Sequence, residues 1–403
     1  MKRGRKGLIA GIGAGNLALV IISVMFAYLA AEPLFQLFVA PRLALNKQEF
    51  LEREARILAQ SSKDGATPAS GYIALIGDSH ALGLGDWLSG ADKSANPPYH
   101  SAHLLHEATG RDVITFGRGG AGSIDGLAVE PIRKIEFVDN LLLFEMGKPG
   151  VGLVYFYEGN DLNDNLGILE RHFYPEYNAK RIFEPEYFRA FLDKLAAEAA
   201  REAGPTDNLI LGHFLFEAAD TWINAAIKGV KRSVLGPEEE NPLPEPVTRV
   251  KVGGEIRTMP PYMQGPALGL GAEKLETALY AFRQSLAALA DYMPETEFYV
   301  VYVPSPLSTY EIVSESVHAQ AYQSRRWVYP AQRVRERSGE IAEYVRASAA
   351  LLGMDFIDTR PALGRAAEKR FLHGPGDWRH FNRAGYEAFT DVVLAQTGLS
   401  TLP

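Results

Sequence analysis

Short apolar runs alternate with helix-length amphipathic stretches along the chain from Gly71 onward. Six of the runs are apolar at both odd and even positions, which is typical of strands that are covered on both faces. Alternation of such strands with helices favours βα units, so the pattern predicts an α/β fold with a mostly parallel sheet. The predicted strands are residues 72–76, 112–116, 152–157, 208–211, 297–303 and 355–357.

Apolar residues spaced three and four apart predict three long helices between these strands. The first helix ends near Gly204, and Gly353 is placed to cap the carboxyl end of the third. Residues 236–271 are rich in proline and glycine and predict a long loop without helices or strands. The helical stripes are Phe188, Phe191, Leu192 and Leu195; Leu275, Leu279, Phe282, Leu286 and Leu289; and Val334, Ile341, Val345 and Leu352.

The N-terminal segment predicts a membrane anchor. A basic flank, MKRGRK, precedes a stretch from Leu8 to Ala31 that has no charged residue. At 1.5 Å per residue this stretch gives a helix of about 36 Å, enough to cross a hydrocarbon core of about 30 Å. The basic flank should stay in the cytoplasm, so the rest of the chain would lie outside it, in the periplasm of a Gram-negative cell. A cleavable signal peptide is the alternative, but the apolar stretch is longer than is usual for one.

These features divide the chain into three parts. Residues 1–31 form a basic tail and anchor, residues 32–70 a juxtamembrane helix and polar linker, and residues 71–403 an α/β domain with a large insertion at about 165–294. A chain with 47% hydrophobic and 22% charged residues can bury a substantial core. The net charge of −8 argues against a nucleic-acid partner, and the absence of cysteine excludes disulfides and thiolate chemistry.

Residues with catalytic potential follow several of the predicted strands. Ser79 comes shortly after the first strand, Gly120 lies in a glycine cluster after the second, and Asn160 follows the third. Asp377 and His380, three residues apart, come after the last strand. Since ligands bind beyond the carboxyl ends of parallel strands, these groups should meet at one edge of the sheet.

Each of these residues also has an ordinary structural interpretation. A serine at a helix start is often an N-cap, glycines serve tight turns, and Asn-Asp pairs are common in turns. Taken together, however, the set supplies a nucleophile (Ser79), two oxyanion donors (Gly120 and Asn160), a base (His380) and a carboxylate that orients the base (Asp377).

Four segments resemble, in the same order, the four sequence blocks of the SGNH hydrolase superfamily, also called GDSL-type esterases and lipases. They are GDSH (77–80), TFGRGG (115–120), GND (159–161) and DWRH (377–380). Thr115 stands where the second block commonly has asparagine. The resemblance covers residues 71–164 and 297–403 and leaves out the anchor and most of the insertion.

This resemblance implies a three-layer α/β/α sandwich of flavodoxin-like type and gives each candidate residue a role. Ser79, His380 and Asp377 would form a catalytic triad. The backbone N–H groups of Ser79 and Gly120 and the side-chain amide of Asn160 would form the oxyanion hole. Such a mechanism needs no metal and no organic cofactor.

The implied activity is ester hydrolysis by a membrane-anchored serine esterase outside the cytoplasm. That location makes an O-acyl ester, and first of all an O-acetyl ester, of a cell-envelope glycan the expected substrate. Three alternatives stay open: acetyl transfer to a polysaccharide hydroxyl, hydrolysis of lipid esters, and a non-catalytic glycan-binding or assembly protein on the same fold. The expected partners are the ester substrate and, through the N-terminal helix, the membrane, with no nucleic acid.

Further polar residues are expected to have other roles. Three histidines recur at intervals of three without a nearby acidic cluster, which favours ordinary surface and interface residues over metal ligands. Two acidic residues after Asn160 are expected in a turn, and two serines after the fifth strand are candidates to line the pocket. These residues are His100, His103 and His106; Asp161 and Asp164; and Ser305 and Ser308.

Overall fold

The centre of the fold is a six-stranded sheet with helices on both faces. The computed structural model describes residues 14–43, 58–60, 62–63, 65, 67–85, 100–140, 145–202, 210–216, 219, 248–320 and 326–399. Within them the strands are β1 (Leu58–Ala59), β2 (Ile73–Gly77), β3 (Val113–Thr115), β4 (Val151–Tyr157), β5 (Arg249–Val252), β6 (Glu255–Thr258), β7 (Met263–Gln264), β8 (Glu297–Val303), β9 (Glu311–Ile312), β10 (Ser316–Gln320), β11 (Arg326–Pro330) and β12 (Asp355–Asp358).

The α-helices in the same residues are α1 (Ala14–Phe38), α2 (Ser79–Leu82), α3 (Ser101–Thr109), α4 (Glu130–Asp139), α5 (Asp161–Ile168), α6 (Pro185–Glu202), α7 (Ala272–Tyr292), α8 (Pro306–Thr309), α9 (Ala331–Leu351), α10 (Arg360–Ala367) and α11 (Arg383–Thr397). Short 3₁₀ or π-helical turns cover Ala40–Arg42, Ile124–Val129, Leu169–Phe173 and Ala179–Arg181. Residues 210–216 are also helical.

Five strands of the central sheet are parallel. They lie in the order β3-β2-β4-β8-β12, and β1 pairs antiparallel with β3 at one edge. Numbered along the chain, the parallel strands have the order 2-1-3-4-5, so the order reverses between β2 and β4. In an open α/β sheet a crevice forms at such a reversal, beyond the carboxyl ends of the strands, and ligands commonly bind there.

Alternate residues of each central strand face two separate cores. On one face, Ile76 and Phe156 pack with residues of α4, α5, α6, α7 and most of α9. On the other face, Leu75 and Tyr155 pack with residues of α3, α10 and α11. The predicted α/β fold with a mostly parallel sheet is confirmed, and burial on both faces explains why the strands are apolar at every position.

Most predicted elements are present. Five of the predicted strands correspond to β2, β3, β4, β8 and β12, and the three helical stripes correspond to α6, α7 and α9. The sixth predicted strand spans residues 208–211. Residues 210 and 211 belong instead to the helical segment 210–216, so the prediction is wrong there, and residues 208–209 lie outside the described residues. The backbone N–H groups of Ile210 and Leu211 donate to the carboxylate of Glu32 on α1, at 2.8 and 3.0 Å. A distant carboxylate, which no local pattern reveals, therefore holds the start of this helix.

Part of the predicted long loop is a β-hairpin, so the prediction of no strands there is wrong. Strands β5 and β6 pair antiparallel across Gly253 and Gly254, whose φ angles are 63° and 79°. A Gly-Gly pair between alternating residues, as in VKVGGEI, is a hairpin signal that the proline-rich surroundings obscured. Strand β9 joins β5, and β7, β10 and β11 form a further small sheet. Residues 236–247 lie outside the described residues.

Among the described residues, one helix is long and apolar enough to cross a membrane. This helix, α1, continues to Phe38 and so includes the first residues of the segment 32–70. Residues 44–57 of that segment lie outside the described residues, so the juxtamembrane helix stays a prediction. Strand β1 lies within the expected linker and joins the edge of the central sheet. The basic flank falls within residues 1–13, which lie outside the described residues.

Gly117 allows β3 to end directly against the turn that carries Ser79. A Cβ atom at Gly117 would lie 2.2 Å from the nitrogen of Leu82 and 2.7 Å from the carbonyl oxygen of Asp78. Because α2 would have to move, we expect Gly117→Ala to lower the free energy of unfolding by about 1–3 kcal/mol. Gly339→Ala in α9 is the control, since no atom lies within 4 Å of the added Cβ. Chemical denaturation followed by circular dichroism measures both variants, and equal losses would contradict this role of Gly117.

Candidate active site

Strand β2 delivers Ser79 to the carboxyl edge of the sheet. Its last residue, Gly77, has a φ of 141°, and a Cβ there would lie 2.6 Å from the carbonyl oxygen of Tyr155, so only glycine fits. The carboxylate of Asp78 accepts a hydrogen bond from the backbone N–H of His80 at 2.8 Å and caps α2. Ser79 is the first residue of α2, and N–H groups in a first helical turn have no partner within the helix. The turn thus presents a hydroxyl together with a backbone donor.

Ser79 meets His380 across 301 positions of the chain. The Oγ of Ser79 lies 2.9 Å from Nε2 of His380, and Nδ1 of His380 lies 2.6 Å from Oδ2 of Asp377. The backbone N–H groups of Arg379 and His380 donate to the other carboxylate oxygen at 2.8 and 3.3 Å. Because Nδ1 donates to Asp377, Nε2 is left to accept the proton of the serine hydroxyl. The structure therefore brings the three predicted triad residues into one chain of hydrogen bonds.

The Asp377 carboxyl stays ionised in this arrangement. Burial alone would raise its pKa, but the hydrogen bond and charge of His380 and the two backbone N–H groups hold the pKa well below its usual range. A permanently charged carboxylate fixes the tautomer of the imidazole and stabilises the imidazolium that forms when the imidazole takes a proton.

Two further histidines lie close to the triad. The ring of His80 is 5.1 Å from that of His380, and Nδ1 of His373 lies 3.0 Å from the hydroxyl of Tyr310. Burial lowers the pKa of His80 even though the Asp78 carboxylate opposes the shift, and burial lowers the pKa of His373 to about 3. Both rings are therefore neutral near pH 7.

Asp78 also touches the nucleophile, a contact that the sequence analysis missed. Its Oδ2 lies 3.3 Å from the Oγ of Ser79 and 3.3 Å from Nδ1 of His80. Burial would raise the pKa of Asp78, but its interactions with His80 and His380 lower it. The GDSH segment thus supplies a buried carboxylate beside the serine.

The predicted oxyanion donors lie at the ends of the two strands that flank β2. Gly120 is in an exposed turn after β3, with a φ of 74°, and Asn160 lies between β4 and α5. Strands β3 and β4 pair with β2 on either side, so Ser79, Gly120 and Asn160 share the sheet edge where the strand order reverses. The Asn160 amide donates to Asp164 at 2.6 Å, and an amide nitrogen carries a second hydrogen that it can donate elsewhere. The oxyanion roles of these residues stay predictions.

Asp161 and Asp164 are expected in a loop turn, but both lie in the first helical turn of α5. The Asp161 carboxylate accepts from the backbone N–H of Tyr157 at 3.1 Å, and Asp164 accepts from Asn160. Burial and the negative charge of Asp78 raise the pKa of Asp161 strongly and raise the pKa of Asp164 to about 7. The contact of Asn160 with Asp164 could have been found from sequence, because residues four apart on a helix are neighbours.

Thr115 connects β3 to the turn that carries Ser79. Its hydroxyl donates to the carbonyl oxygen of Ala81 at 2.6 Å and accepts from the backbone N–H of Gly117 at 3.2 Å.

The three histidines of the HSAHLLH segment have separate partners: His100 contacts the carbonyl oxygen of Leu82, His103 contacts Glu107, and His106 contacts the carbonyl oxygen of Arg111.

The two serines after β8 contact other groups, and their expected place in the pocket stays a prediction. Ser305 is buried and donates to Glu158 at 2.7 Å through its hydroxyl. Ser308 lines a separate cavity of about 400 Å³, together with Asp358 and Arg360. The buried Glu158 also binds the hydroxyl of Tyr302 and the backbone N–H of Ser305, so the segment after β8 serves to hold this carboxylate.

A cleft of about 530 Å³ lies beside the triad, and the segment that carries Asp377 forms one of its walls. The guanidinium of Arg326 lies 4.8 Å from the ring centre of Tyr262, and the guanidinium of Arg379 donates to Gln320 at 3.4 Å. The lining comes from the insertion, from β10 and β11, and from the DWRH segment: Pro260, Pro261, Tyr262, Met263, Gln264, Gln320, Arg326, Gly376, Asp377, Trp378 and Arg379.

The cleft wall formed by the insertion is tied to the central sheet. The hydroxyl of Tyr157, the last residue of β4, donates to the side-chain oxygen of Gln264 at 2.6 Å. Tyr262 has a φ of 61° and stacks on His318 of β10. A left-handed backbone at a tyrosine is uncommon and is typically maintained by surrounding contacts at functional positions.

Comparisons with protein-family models, with curated proteins and with solved structures found no match to this chain. The four sequence blocks and the geometry of the site are therefore the basis on which its function has to be argued.

The raised pKa of Asp164 predicts a stability change between about pH 4 and 7. The pKa rises from 3.8 to about 7 on folding, so the folded state loses stability as the pH increases through this window and the buried carboxyl ionises. We expect Asp164→Asn, which keeps an acceptor for Asn160, to raise the free energy of unfolding at pH 8 by up to about 4 kcal/mol. Below pH 4 this gain should disappear. Denaturant unfolding of the detergent-solubilised protein across this pH range measures the difference. Asp355→Asn, at an exposed position, is the control. A gain in stability that is the same at every pH would contradict the raised pKa of Asp164.

Proposed function

We propose that this chain is a serine esterase of the SGNH type, anchored to the membrane by α1, with its α/β domain outside the cytoplasm. Its substrate is an O-acyl ester, in the simplest case an O-acetyl ester, of a cell-envelope glycan. The observation that carries the proposal is the hydrogen-bonded chain from Ser79 through His380 to Asp377. It lies at the carboxyl edge of the parallel sheet, where the strand order reverses.

The distances support nucleophilic catalysis. His380 takes the proton of Ser79 through Nε2, and the serine oxygen attacks the ester carbonyl. Asp377 holds Nδ1–H and stabilises the charged imidazole until the proton passes to the departing alcohol. In the second half of the reaction a water attacks the acyl-serine while His380 takes a proton from that water. The carboxylic acid then leaves as His380 returns the proton to the oxygen of Ser79.

The tetrahedral intermediates carry a negative charge on the former carbonyl oxygen. We assign its stabilisation to the N–H groups of Ser79 and Gly120 and to the second amide hydrogen of Asn160. Asp164 supports this role because its bond to Asn160 holds the amide in place before substrate arrives. Donors that are fixed in advance need no reorganisation as the charge develops, which is the main source of rate enhancement at such sites.

The lining of the cleft supports a glycan as the alcohol part of the ester. Arg326, Arg379, Gln264 and Gln320 offer hydrogen-bond groups, and Tyr262 offers an aromatic ring. Hydroxyl groups and ring faces of sugars fit such a lining, whereas the acyl chain of a lipid ester offers these polar groups no hydrogen bonds. The cleft also favours an enzyme over a purely glycan-binding protein, because it adjoins the triad rather than a separate surface.

The acyl group can pass either to water or to a second sugar hydroxyl in the same cleft. Acetate release from an acetylated glycan, without any newly acetylated product when an unacetylated glycan is added, identifies a hydrolase. Appearance of the acetylated acceptor identifies a transferase with the same nucleophile.

Ser79→Ala should abolish covalent labelling by a fluorophosphonate probe and reduce turnover of an aryl acetate close to background. The reason is that only binding and oxyanion stabilisation remain once the nucleophile is lost. Gel fluorescence and a spectrophotometric esterase assay measure the two effects. The matched control is Ser308→Ala, a partly exposed serine that lines a different cavity. Full turnover by Ser79→Ala, or the absence of labelling in the unaltered protein, rules out the proposed nucleophile.

Arg326→Gln should lower kcat/KM for an acetylated oligosaccharide by about 10-fold or more, because a hydrogen bond from a charged group is lost. The loss should be much smaller for phenyl acetate, which is too small to occupy the cleft and the triad together. Arg365→Gln, an exposed residue of α10 outside the cleft, is the control with the same change of charge. Acetate release at several substrate concentrations measures the effect. Equal losses on both substrates, or no loss on the oligosaccharide, would remove the cleft from the proposal.

A further inference from the structure

The polar side of the carboxyl-terminal third of α1 packs against the α/β domain. Glu32 and Gln36 are buried there, and Gln36 donates to Glu32 at 2.8 Å. The opposite side of the same turns is apolar and exposed, with Leu34, Leu37 and Phe38. A helix that faces water shows the reverse arrangement, with polar residues outward. The outer side of these turns therefore has the character of a surface that faces lipid.

Glu32 joins this helix rigidly to a segment far along the chain. Its two carboxylate oxygens accept the backbone N–H groups of Ile210 and Leu211, at 2.8 and 3.0 Å. One turn earlier on α1, the hydroxyl of Tyr28 accepts the backbone N–H of Gly212 at 3.0 Å. One side chain of α1 thus binds two successive backbone N–H groups of the helical segment 210–216.

The segment 210–216 carries its own exposed apolar residues beside the anchor. Phe214 lies 5.0 Å from Phe35 of α1, ring centre to ring centre, and Ile210 is buried in the core. In contrast, Leu215 and Phe216 are 56% and 67% exposed. Exposed apolar residues clustered in this way mark a contact surface, since they gain nothing from facing water.

We infer that these residues form a lipid-contact patch, by which the soluble domain is seated on the same bilayer that α1 crosses. The patch comprises Leu34, Leu37, Phe38, Val39, Leu215 and Phe216. Lipid is the occupant because the patch lies at the end of α1, whose exposed residues from Leu19 to Leu29 are also apolar except for Ser23. The length of α1 also suffices to span a membrane. The inference depends on α1 lying in a membrane and is independent of the esterase chemistry.

A seated domain differs physically from a tethered one. The contacts of Glu32 and Tyr28 hold α1 directly against residues 210–216. Phe216 enters the boundary between headgroups and acyl chains, where apolar side chains insert by about 5–10 Å. Lipid contact at this patch restricts the orientations that the domain can take relative to the bilayer.

Fluorescence quenching tests the patch on the full chain in phosphatidylcholine vesicles. Because the chain has no cysteine, a single fluorophore can be attached after Leu215→Cys or Phe216→Cys. Lipids with a nitroxide on the acyl chain should quench both positions severalfold more strongly than a fluorophore attached after Leu351→Cys. Leu351 ends α9 and is 72% exposed, which makes it the matched control. Iodide in the water should give the opposite order.

Each remaining outcome overturns the inference. Iodide quenching at position 216 as strong as at position 351 means that the patch faces water. Protection from both quenchers that depends on the ratio of protein to lipid means that a second copy of the chain covers the patch. Failure of the full chain to float with the vesicles removes the bilayer as a partner. Two independently labelled positions guard against misfolding of one variant, and the fluorophosphonate reaction reports separately on the active site.

Discussion

The hydrogen bond between Ser79 and His380 is the contact on which the rest of the site depends, and most features of the fold serve to make it possible. It joins residues 301 positions apart at a distance of 2.9 Å. Parallel strands that end at a common edge bring the two segments together, and close approaches at Gly77 and Gly117 set the position of the serine turn. Since catalysis requires the reacting groups to be held within a fraction of an ångström, a rigid sheet buried on both faces is a suitable support.

The charges around this contact follow a simple electrostatic rule, which is that a buried charge needs a partner. Asp377 is ionised because His380 and two backbone N–H groups bind it. The interactions of Asp78 with His80 and His380 lower its pKa, whereas burial and the charge of Asp78 raise the pKa of Asp161. Burial lowers the pKa of His80. His380 is the ring whose Nε2 contacts Ser79, so it is the ring positioned to take the serine proton in the proposed reaction.

The sequence predicts those parts of the structure that depend on local patterns. Strands buried on both faces are recognisable as short apolar runs, and Ser79, Gly120 and Asn160 fall at strand ends because motif and strand are adjacent in the chain. Segment 210–216 could not be predicted, because an apolar run of this length suits a strand or a helix, and the deciding carboxylate, Glu32, lies 178 residues earlier. The cleft beside Asp377 is equally hidden, since its walls come from three separate segments.

The cleft and the anchor lie outside the central sheet. In the proposed esterase the serine, histidine and aspartate could act on many esters, so the choice of substrate has to come from the elements that surround them. Tyr262 and Gln264 line a polar cleft, and a bond from Tyr157 on β4 ties Gln264 to the sheet. The anchor, in turn, is held to the domain through Glu32. In the proposed esterase, the three sites therefore share one supporting sheet: the triad, the glycan cleft and the lipid-contact patch.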